Sequence, residues 1–296
     1  MDKPTLLVTG ASGSIGASLV SRLGLLRTFE IVTLGKSNPR NDLQIDLRQR
    51  DSQEVVRRID PDFVIHLAGN PSIENSFKDP LSDLMVNTAG TLNLLEGLNK
   101  KKKVALVFAS TAAIYGNDCT TPFVEDSPLK PESPYAISKI AAEQYLAQKS
   151  REFDLQWTSL VISNSFGPLK THRTGVIARI IDSTINGKEL TLYGKDICRD
   201  FIYVDDVCDA ILLALNNPSN SRLNISSEQE FPLLDVLTFI EDISQKKVRV
   251  DWKEPVRKIT SRNTLDNSKS KQLLGWYPKR EFYSSLEKIV TDSLAI

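Results

Sequence analysis

Short apolar segments alternate with segments of helical periodicity through the first two-thirds of the chain. Five apolar runs have the length of buried strands: TLLVTG, FEIVTLG, DFVIHLAG, VALVFAST and WTSLVIS. Helical spacing marks SIGASLVSRLGLL, DSQEVVRRI and LSDLMVNTAGTLNLLEGL, the last predicted as one long helix. Strands that are apolar on both faces and alternate with helices form a parallel sheet covered on both sides. The pattern therefore predicts an α/β fold with a doubly wound parallel sheet.

The alternation loosens after the segment NSFGP. Helices are predicted for VIARIIDSTINGK, PLLDVLTFIEDIS and YSSLEKIVTDSL, a strand for KVRVDW, and a strand that turns into a helix for RDFIYVDDVCDAILLALNN. The polar stretch from Lys253 to Lys271 is expected to form loops. These elements are too few for a second full sheet, so they predict a smaller mixed α/β region. The predicted domains are residues 1–164, with 200–224 packing back onto them, and a C-terminal region of 165–199 and 225–296.

Composition is that of an ordinary globular protein. The 296 residues are 41% hydrophobic and 25% charged, and the formal net charge is zero. A balanced charge argues against nucleic acid or an anionic membrane as the main partner. Apolar runs are too short to span a bilayer. Three cysteines and two histidines have no metal-ligand spacing, so we expect no metal site and reduced thiols in a cytoplasm.

A glycine-rich turn joins the first predicted strand to its helix. In VTGASGSIGASLV, the glycines Gly10, Gly13 and Gly16 are each three residues apart. Glycines let the backbone approach phosphates, and the free N–H groups of a helix N-terminus attract them. The strand, turn and helix together predict a dinucleotide site of the Rossmann type. Further contacts are expected from Ser12, Ser14 and Ile15.

The end of the second strand is where NAD and NADP are normally distinguished. An acidic residue there hydrogen-bonds the ribose hydroxyls of NAD. This chain has Gly35, Lys36 and Ser37, with Arg40 beyond. The cations favour the additional phosphate of NADP, although a solvated loop would tolerate lysine equally. The predicted cofactor is NAD or NADP, with the balance toward NADP.

Other candidate cofactor contacts follow the next two apolar runs. Asp46, in LQIDLRQRD, is the candidate for the adenine amino group, with Leu47 beside it. Leu67, Ala68 and Gly69 end the third strand, where small residues let a cofactor pass close to the backbone.

A tyrosine and a lysine stand four residues apart in SPYAISKIAAEQYL. On a helix, Tyr135 and Lys139 share one face. The fourth strand ends in Ser110 and Thr111, at the sheet edge where open parallel sheets bind ligands. A neighbouring ammonium and a positive nicotinamide ring are expected to lower the pKa of the tyrosine from about 10. A tyrosine tuned in this way can exchange a proton with a sugar hydroxyl, while Thr111 holds the same oxygen.

At this point the sequence resembles the extended short-chain dehydrogenase/reductase family, most closely its branch that modifies nucleotide-linked sugars. The motifs span almost the whole chain in the family's order: TGASGSIG, DLRQRD, HLAG, VNTAGTLNLLE, STAAIYG, SPYAISK, NSFGP, RDFIYVDDV and DNSKSKQLLGWYP. The resemblance implies a C-terminal substrate-binding region, a nucleoside-diphosphate sugar as substrate, and a homodimer paired through its helices.

The resemblance also implies roles for individual residues. Thr111, Tyr135 and Lys139 match the catalytic triad. Asn87 matches an asparagine near the active site. Residues that hold the substrate diphosphate are matched by Asn164 and Arg199, and a further arginine by Arg257 or Arg262. The remaining expected cofactor contacts are Ser110 and Ile162.

The residues after Thr111 bear on the reaction. Dehydratases of the family carry an acid pair there, whereas this chain has Ala112 and Ala113, which cannot shuttle protons. STAAIYG instead looks like the sugar 4-epimerases, which act by hydride transfer at carbon 4. The loop at Lys36 fits the alternative of an NADPH-dependent 4-ketosugar reductase. Val161, where relatives often have arginine, weakens any transfer of their substrate preference. A third alternative is a non-catalytic dinucleotide-binding sensor, against which the intact triad argues.

Overall fold

The computed structural model describes residues 3–36, 42–116, 121–171, 174–254 and 262–295. The elements of its first half are, in chain order, β1 Thr5–Thr9, α1 Ser14–Leu26, β2 Glu30–Gly35, β3 Leu43–Gln44, α2 Ser52–Ile59, β4 Phe63–His66, α3 Ile73–Lys78, α4 Pro80–Leu84, a π-helical segment Met85–Ala89, α5 Gly90–Gly97, β5 Val104–Thr111, a 3₁₀ turn Ala112–Tyr115 and α6 Pro134–Lys149.

The second half of the chain contains shorter elements. They are β6 Leu155–Ile162, β7 Asn164–Phe166, α7 Val176–Asn186, β8 Leu190–Tyr193, β9 Cys198–Arg199, β10 Phe201–Tyr203, α8 Val204–Asn216, β11 Ser221–Ile225, β12 Phe231–Pro232, α9 Leu233–Ser244, β13 Val250–Lys253, α10 Ser268–Leu274 and α11 Phe282–Leu294. None of the helices in the described ranges is both long and apolar enough to cross a membrane.

One seven-stranded parallel sheet organises the molecule, with strand order β11-β6-β5-β4-β1-β2-β3. The order in which successive strands are added to the sheet reverses between β1 and β4. Such a switch point leaves a crevice at the carboxyl ends of the strands. Thr9 pairs with His66, and Thr111 pairs with Ile162, so these strands end at the same edge. This arrangement confirms the predicted doubly wound fold.

Helices cover both faces of the sheet, as continuous apolar strands require. On one face α1 and α8 pack in a cluster that includes Leu19, Ile211 and Trp276. On the other face α2, α5 and α6 pack through residues such as Leu94 and Leu146. A separate cluster joins α7, α9 and α11 beyond the sheet. The strand pairs β10–β7, β12–β9 and β13–β8 flank that cluster.

Two sequence-based expectations about elements were wrong, and one strand of the sheet was missed. The predicted single helix from Leu81 is two helices joined by the π-helical segment, in which Asn87 is buried. The stretch expected to be loops contains the start of α10 and a bridge between Leu265 and Phe123. The sheet also has an edge strand, β11, that the apolar runs did not reveal. Its sequence, SRLNI, is short and contains three polar residues, so it lacks the continuous apolar run by which the other strands were recognised.

Candidate active site

The glycine turn is packed against the backbone of the third predicted strand. Gly10 has φ of +72°, and a Cβ there would lie 2.6 Å from the Ala68 nitrogen and the Leu67 carbonyl carbon. A Cβ on Gly16 would lie 2.2 Å from the Gly10 carbonyl oxygen. Only glycine therefore allows the turn and the close approach of α1 to β1. Gly13, the residue before α1, has no side chain to occupy the free N–H groups at the helix start.

This turn fits a dinucleotide pyrophosphate. The N-terminus of α1 faces the crevice edge of the sheet, and its first N–H groups offer donors and a positive dipole end. Ser12 is exposed, Ser14 and Ile15 are partly buried, and the Ser14 hydroxyl lies 3.4 Å from that of Thr174. Ala68 and Gly69 follow β4 at the same edge. The residues predicted from the sequence for this part of the site thus lie together.

The region expected to choose between NAD and NADP has an additional feature. Arg48 donates to both carboxylate oxygens of Asp46, at 2.6 to 3.0 Å, and Lys36 lies 3.9 Å from the same carboxylate. The hydrogen bond from Arg48 lowers the pKa of Asp46. Asp46 is therefore paired within its own turn, which competes with its predicted contact to adenine. Leu47 is buried in the core near Gly90, while Ser37 and Arg40 lie outside the described residues.

The predicted catalytic side chains converge at the carboxyl end of β5. Ser133 caps α6, because its hydroxyl accepts from the Ala136 nitrogen at 3.2 Å, and Pro134 begins the helix. This start places Tyr135 and Lys139 on the buried face of the helix. The Lys139 ammonium lies 4.5 Å from the centre of the Phe108 ring on β5. Thr111 ends β5, and its side chain is hydrogen-bonded to Tyr135.

Electrostatics in the protein alone differ from the sequence-based expectation for Tyr135. Burial raises its pKa to about 12, and the hydrogen bond to Thr111 opposes that rise. Burial also lowers the pKa of Lys139 to about 8, and the charge of Asp83 opposes that fall. In the protein alone, desolvation is the largest influence on the pKa of both groups. Proton exchange at Tyr135 near neutral pH would need a further positive charge beside the phenol, which a bound nicotinamide would supply.

A histidine behind the site is held neutral. His66 is fully buried between Thr9 and Thr91, with hydroxyl distances of 2.6 Å to Nδ1 and 2.9 Å to Nε2. Thr91 donates to the Asn87 carbonyl at 2.6 Å and therefore accepts from Nε2, while Thr9 donates to Nδ1. Burial lowers the pKa of His66 to about 3. The imidazole is thus neutral and supports the site through hydrogen bonds, and it does not act as an acid.

Ser110 adds an unsatisfied group to the crevice. Its hydroxyl is buried, and no protein partner is found for it within the described ranges. Buried hydroxyls are normally hydrogen-bonded, so this one is suited to a ligand. Ile162, opposite Thr111 on β6, is buried at the same edge.

The residues predicted to hold the substrate diphosphate lie on neighbouring short strands. Asn164 on β7 donates through both its backbone nitrogen and Nδ2 to the Asp200 carbonyl, at 3.0 and 3.1 Å. Arg199 on β9 precedes Asp200, and burial lowers the pKa of the arginine to about 10. Arg262 lies 3.4 Å from Glu230 in a cavity that includes Thr264 and Asp266, whereas Arg257 lies outside the described residues.

The carboxylate that holds the Asn87 side chain was not predicted from any sequence motif. Asp83 is fully buried and accepts hydrogen bonds from Asn87 and Ser138. Asp83 and Ser138 are 55 residues apart, so only the packing of α4 on α6 brings them together.

Comparison with known protein families gives a match over most of the chain. Residues 6–226 match the sequence profile of the NAD dependent epimerase/dehydratase family. The chain belongs to this family.

Three solved members of similar length illustrate the relationship. The UDP-glucose 4-epimerase of Thermotoga maritima, with UDP-glucose, is 30% identical with a TM-score of 0.89, over 97% of both chains. The UDP-glucose 4-epimerase of Thermus thermophilus, in complex with NAD, is 32% identical with a TM-score of 0.88, over 97% of this chain and 98% of that one. A Pseudomonas aeruginosa protein called RMD, complexed with NADPH, is 28% identical with a TM-score of 0.86, over 99% of both chains.

Family membership confirms four predictions. The fold is the Rossmann type, the protein is an enzyme of the nucleotide-sugar epimerase class, and its cofactor is NAD or NADP. The family-level resemblance drawn from the motifs is confirmed as well. The domain boundaries and the roles of the individual site residues stay predictions.

Proposed function

We propose that the protein is a 4-epimerase of a nucleoside-diphosphate sugar, with UDP-glucose and its 4-epimer as the first substrates to test. One observation carries the proposal: Tyr135, Thr111 and Lys139 meet at the crevice edge, and the turn after Thr111 contains alanines where a dehydratase needs acids. The names of the Thermotoga and Thermus relatives support the choice of sugar.

In this mechanism Tyr135 takes the proton of the sugar's 4-hydroxyl, and Thr111 holds the oxygen by a hydrogen bond. A dinucleotide held at the turn of Gly10 and Gly16 would supply a nicotinamide ring that could accept the hydride of carbon 4 and return it to the other face of the sugar. Tyr135 then gives the proton back, so the protein and the cofactor end each cycle unchanged. Lys139 stabilises the phenolate by its charge, and Asn164 with Arg199 holds the diphosphate so that the sugar can rotate.

The observation that favours a second candidate is the loop after β2. Lys36 is exposed, Gly35 offers no carboxylate, and Asp46 is already paired with Arg48. These features suit NADP, and an NADPH-dependent 4-ketosugar reductase uses the same three catalytic side chains. The NADPH bound to the Pseudomonas relative supports this alternative.

Mass spectrometry of the protein as purified distinguishes the two. Retained NAD, with interconversion of UDP-glucose and UDP-galactose without added cofactor, is expected for the epimerase. Empty protein that binds NADPH and reduces a nucleotide 4-ketosugar would overturn the first proposal in favour of the second.

Replacement of Tyr135 by phenylalanine tests the proton transfer itself. We expect kcat to fall about 100-fold or more, because the variant loses the group that we propose exchanges the proton of the 4-hydroxyl. The matched control is Tyr145→Phe, on an exposed part of the same helix. Near-full activity of Tyr135→Phe would contradict the assignment.

We also propose a homodimer and a cytoplasmic location. Exposed apolar side chains gather where α4, the π-helical segment and α6 pack together: Leu81 at 68%, Ile137 at 53%, Leu84 at 44%, Tyr145 at 40% and Met85 at 38%. Such a patch supports pairing with a second copy. A monomer in light scattering at micromolar concentration would contradict the homodimer.

The free thiols of Cys198 and Cys208 support a reducing compartment, as the proposed cytoplasmic location requires.

A further inference from the structure

Asp83 is a fully buried carboxylate next to the catalytic side chains. It accepts from the Ser138 hydroxyl at 2.6 Å, from Asn87 Nδ2 at 3.0 Å and from Asn70 Nδ2 at 3.5 Å. All three donors are neutral. In the described part of the chain, Asp83 forms no salt bridge. A buried carboxylate without a paired cation is costly, so its presence calls for an explanation beyond stability.

Each donor belongs to an element that carries the site. Ser138 precedes Lys139, and its hydroxyl also lies 2.9 Å from the Tyr135 carbonyl oxygen. Asn87 Nδ2 donates to the Ser138 oxygen at 3.1 Å as well. The three residues Asp83, Asn87 and Ser138 therefore close a ring of hydrogen bonds between α4, the π-helical segment and the first turns of α6.

The same ring orients the amide of Asn87 toward the crevice. With Nδ2 fixed by Asp83, the Asn87 Oδ1 accepts from the Asn70 nitrogen at 2.8 Å. A Cβ placed on Gly69 would lie 2.8 Å from this Oδ1 and 3.4 Å from the Lys139 ammonium nitrogen. Asn87 Oδ1 and Lys139 thus face the same small space beside Gly69.

Within the described ranges, few titratable groups face Lys139. Asp83 approaches from α4, His66 from β4 and Tyr135 from the lysine's own helix, while β5 offers the ring of Phe108. His66 is neutral, and Tyr135 is protonated in the protein alone. Asp83 is therefore the anion that favours the ammonium form of Lys139 in its buried position.

We propose that Asp83 is a positioning residue that keeps Lys139 charged and in place through Asn87 and Ser138, and thereby sets the pH range of the proton transfer at Tyr135. The inference rests on the proposed function for the identity of that transfer. Asp83 itself touches neither substrate nor cofactor in this arrangement.

The direction of the pH effect follows from the sign of the charge. A buried anion raises the pKa of Lys139 and of Tyr135 alike. Removing this charge by Asp83→Asn therefore lowers both pKa values. Lys139 then loses its proton at a lower pH, and the tyrosinate form of Tyr135 also appears at a lower pH. Both limbs of the pH profile of kcat are expected to move to lower pH, by about one unit. A role confined to stability would lower the melting temperature and leave the limbs in place.

The test uses ultraviolet difference absorption of tyrosinate in the full chain with saturating NAD, with Tyr135→Phe as the spectral reference. This readout needs no sugar turnover, so it separates failure of the inference from failure of the proposed function. Asp83→Asn is expected to lower the tyrosinate midpoint by about one pH unit. The matched control, Asp79→Asn, makes the same change at an exposed position before α4 and is expected to leave the midpoint unchanged.

A second variant covers the case in which Asp83→Asn does not fold. Asp83→Glu keeps the charge and disturbs the ring of hydrogen bonds, so its midpoint is expected to stay near that of the wild type while kcat falls. An unchanged midpoint in folded Asp83→Asn, or a lowered midpoint in Asp83→Glu, would overturn the inference.

Discussion

Asp83 and Asp206 are both fully buried aspartates, yet their partners differ. Asp206, on α8, accepts from Arg280 Nη1 at 2.6 Å and from the backbone nitrogens of Lys279 and Arg280 at 3.0 and 3.1 Å. Among the residues that the structure describes, Asp83 accepts hydrogen bonds from neutral groups alone, and Lys139, the cation that it influences, forms no ion pair with it. A direct ion pair fixes two segments of the chain. A separated pair leaves the lysine charge available to the tyrosine.

The difference also appears in the electrostatics of the two cations. Hydrogen bonds from Arg280 to Asp209 and Asp206 raise the pKa of the arginine despite its partial burial. Burial instead lowers the pKa of Lys139 to about 8. The ion pairs with Asp206 and Asp209 thus stabilise the charged state of Arg280. Burial in the active site instead disfavours the charged state of Lys139. A pKa shifted by burial in this way is typical of groups at functional sites.

The largest effect on stability is expected from Asp206→Asn. The change leaves Arg280 with one carboxylate and introduces an amide donor opposite two backbone N–H groups. We expect a loss of about 2–3 kcal/mol in the free energy of unfolding, reduced from the value for a fully buried pair because Arg280 is partly exposed. Denaturant unfolding measures it, with Asp205→Asn as the control on the same helix. A loss as small as that of the control would break the comparison.

Lys139→Met is expected to act in the opposite direction on stability while abolishing most activity. The folded state disfavours the ammonium, so removing it should stabilise the fold by about 1–2 kcal/mol at pH 7, less than the full pKa difference because Asp83 loses its cation. The wild-type protein becomes more stable as pH rises from about 8 toward 10.5, since the unfolded chain then binds more protons.

The stability difference between Lys139→Met and the wild type should therefore shrink over that pH range. Unfolding curves at pH 7 and pH 10 measure it. A gap that is constant with pH would mean that packing, and not the charge, sets the stability of the lysine site.

The smallest effect is expected from Asp209→Asn. Arg280 keeps Asp206, and Arg22 keeps its bond to the Asp205 carbonyl at 2.8 Å. We expect a loss of about 0.5–1 kcal/mol, typical of partly exposed ion pairs. A loss equal to that of Asp206→Asn would show that the network acts as one unit, which a double variant would then reveal as non-additive.

Much of this molecule is legible from local patterns. Five strands of the sheet could be predicted from their apolar runs. Gly10 and Gly16 predict the turn after β1, because a side chain at either position would overlap the backbone. Tyr135 and Lys139 are found because a helix places them on one face. The ring of hydrogen bonds around Asp83 could not be predicted from the sequence, because Ser138 lies 55 residues away. The sequence of the π-helical segment between Leu84 and Gly90 also has the pattern of an ordinary helix. The edge strand β11 is missed for a related reason, since its pairing with β6 is long-range.

Trp276 gives the fold a temporal consequence. Its indole donates to the Asp206 carbonyl at 3.0 Å, and its ring belongs to the same apolar cluster as Leu6 and Val8 of β1. Trp276 therefore helps to complete the apolar cluster of β1, although the segment that carries it is synthesised long after that strand. During translation the part of this face that Trp276 covers stays exposed until that segment emerges, and transiently exposed apolar surface of this kind is what chaperones bind.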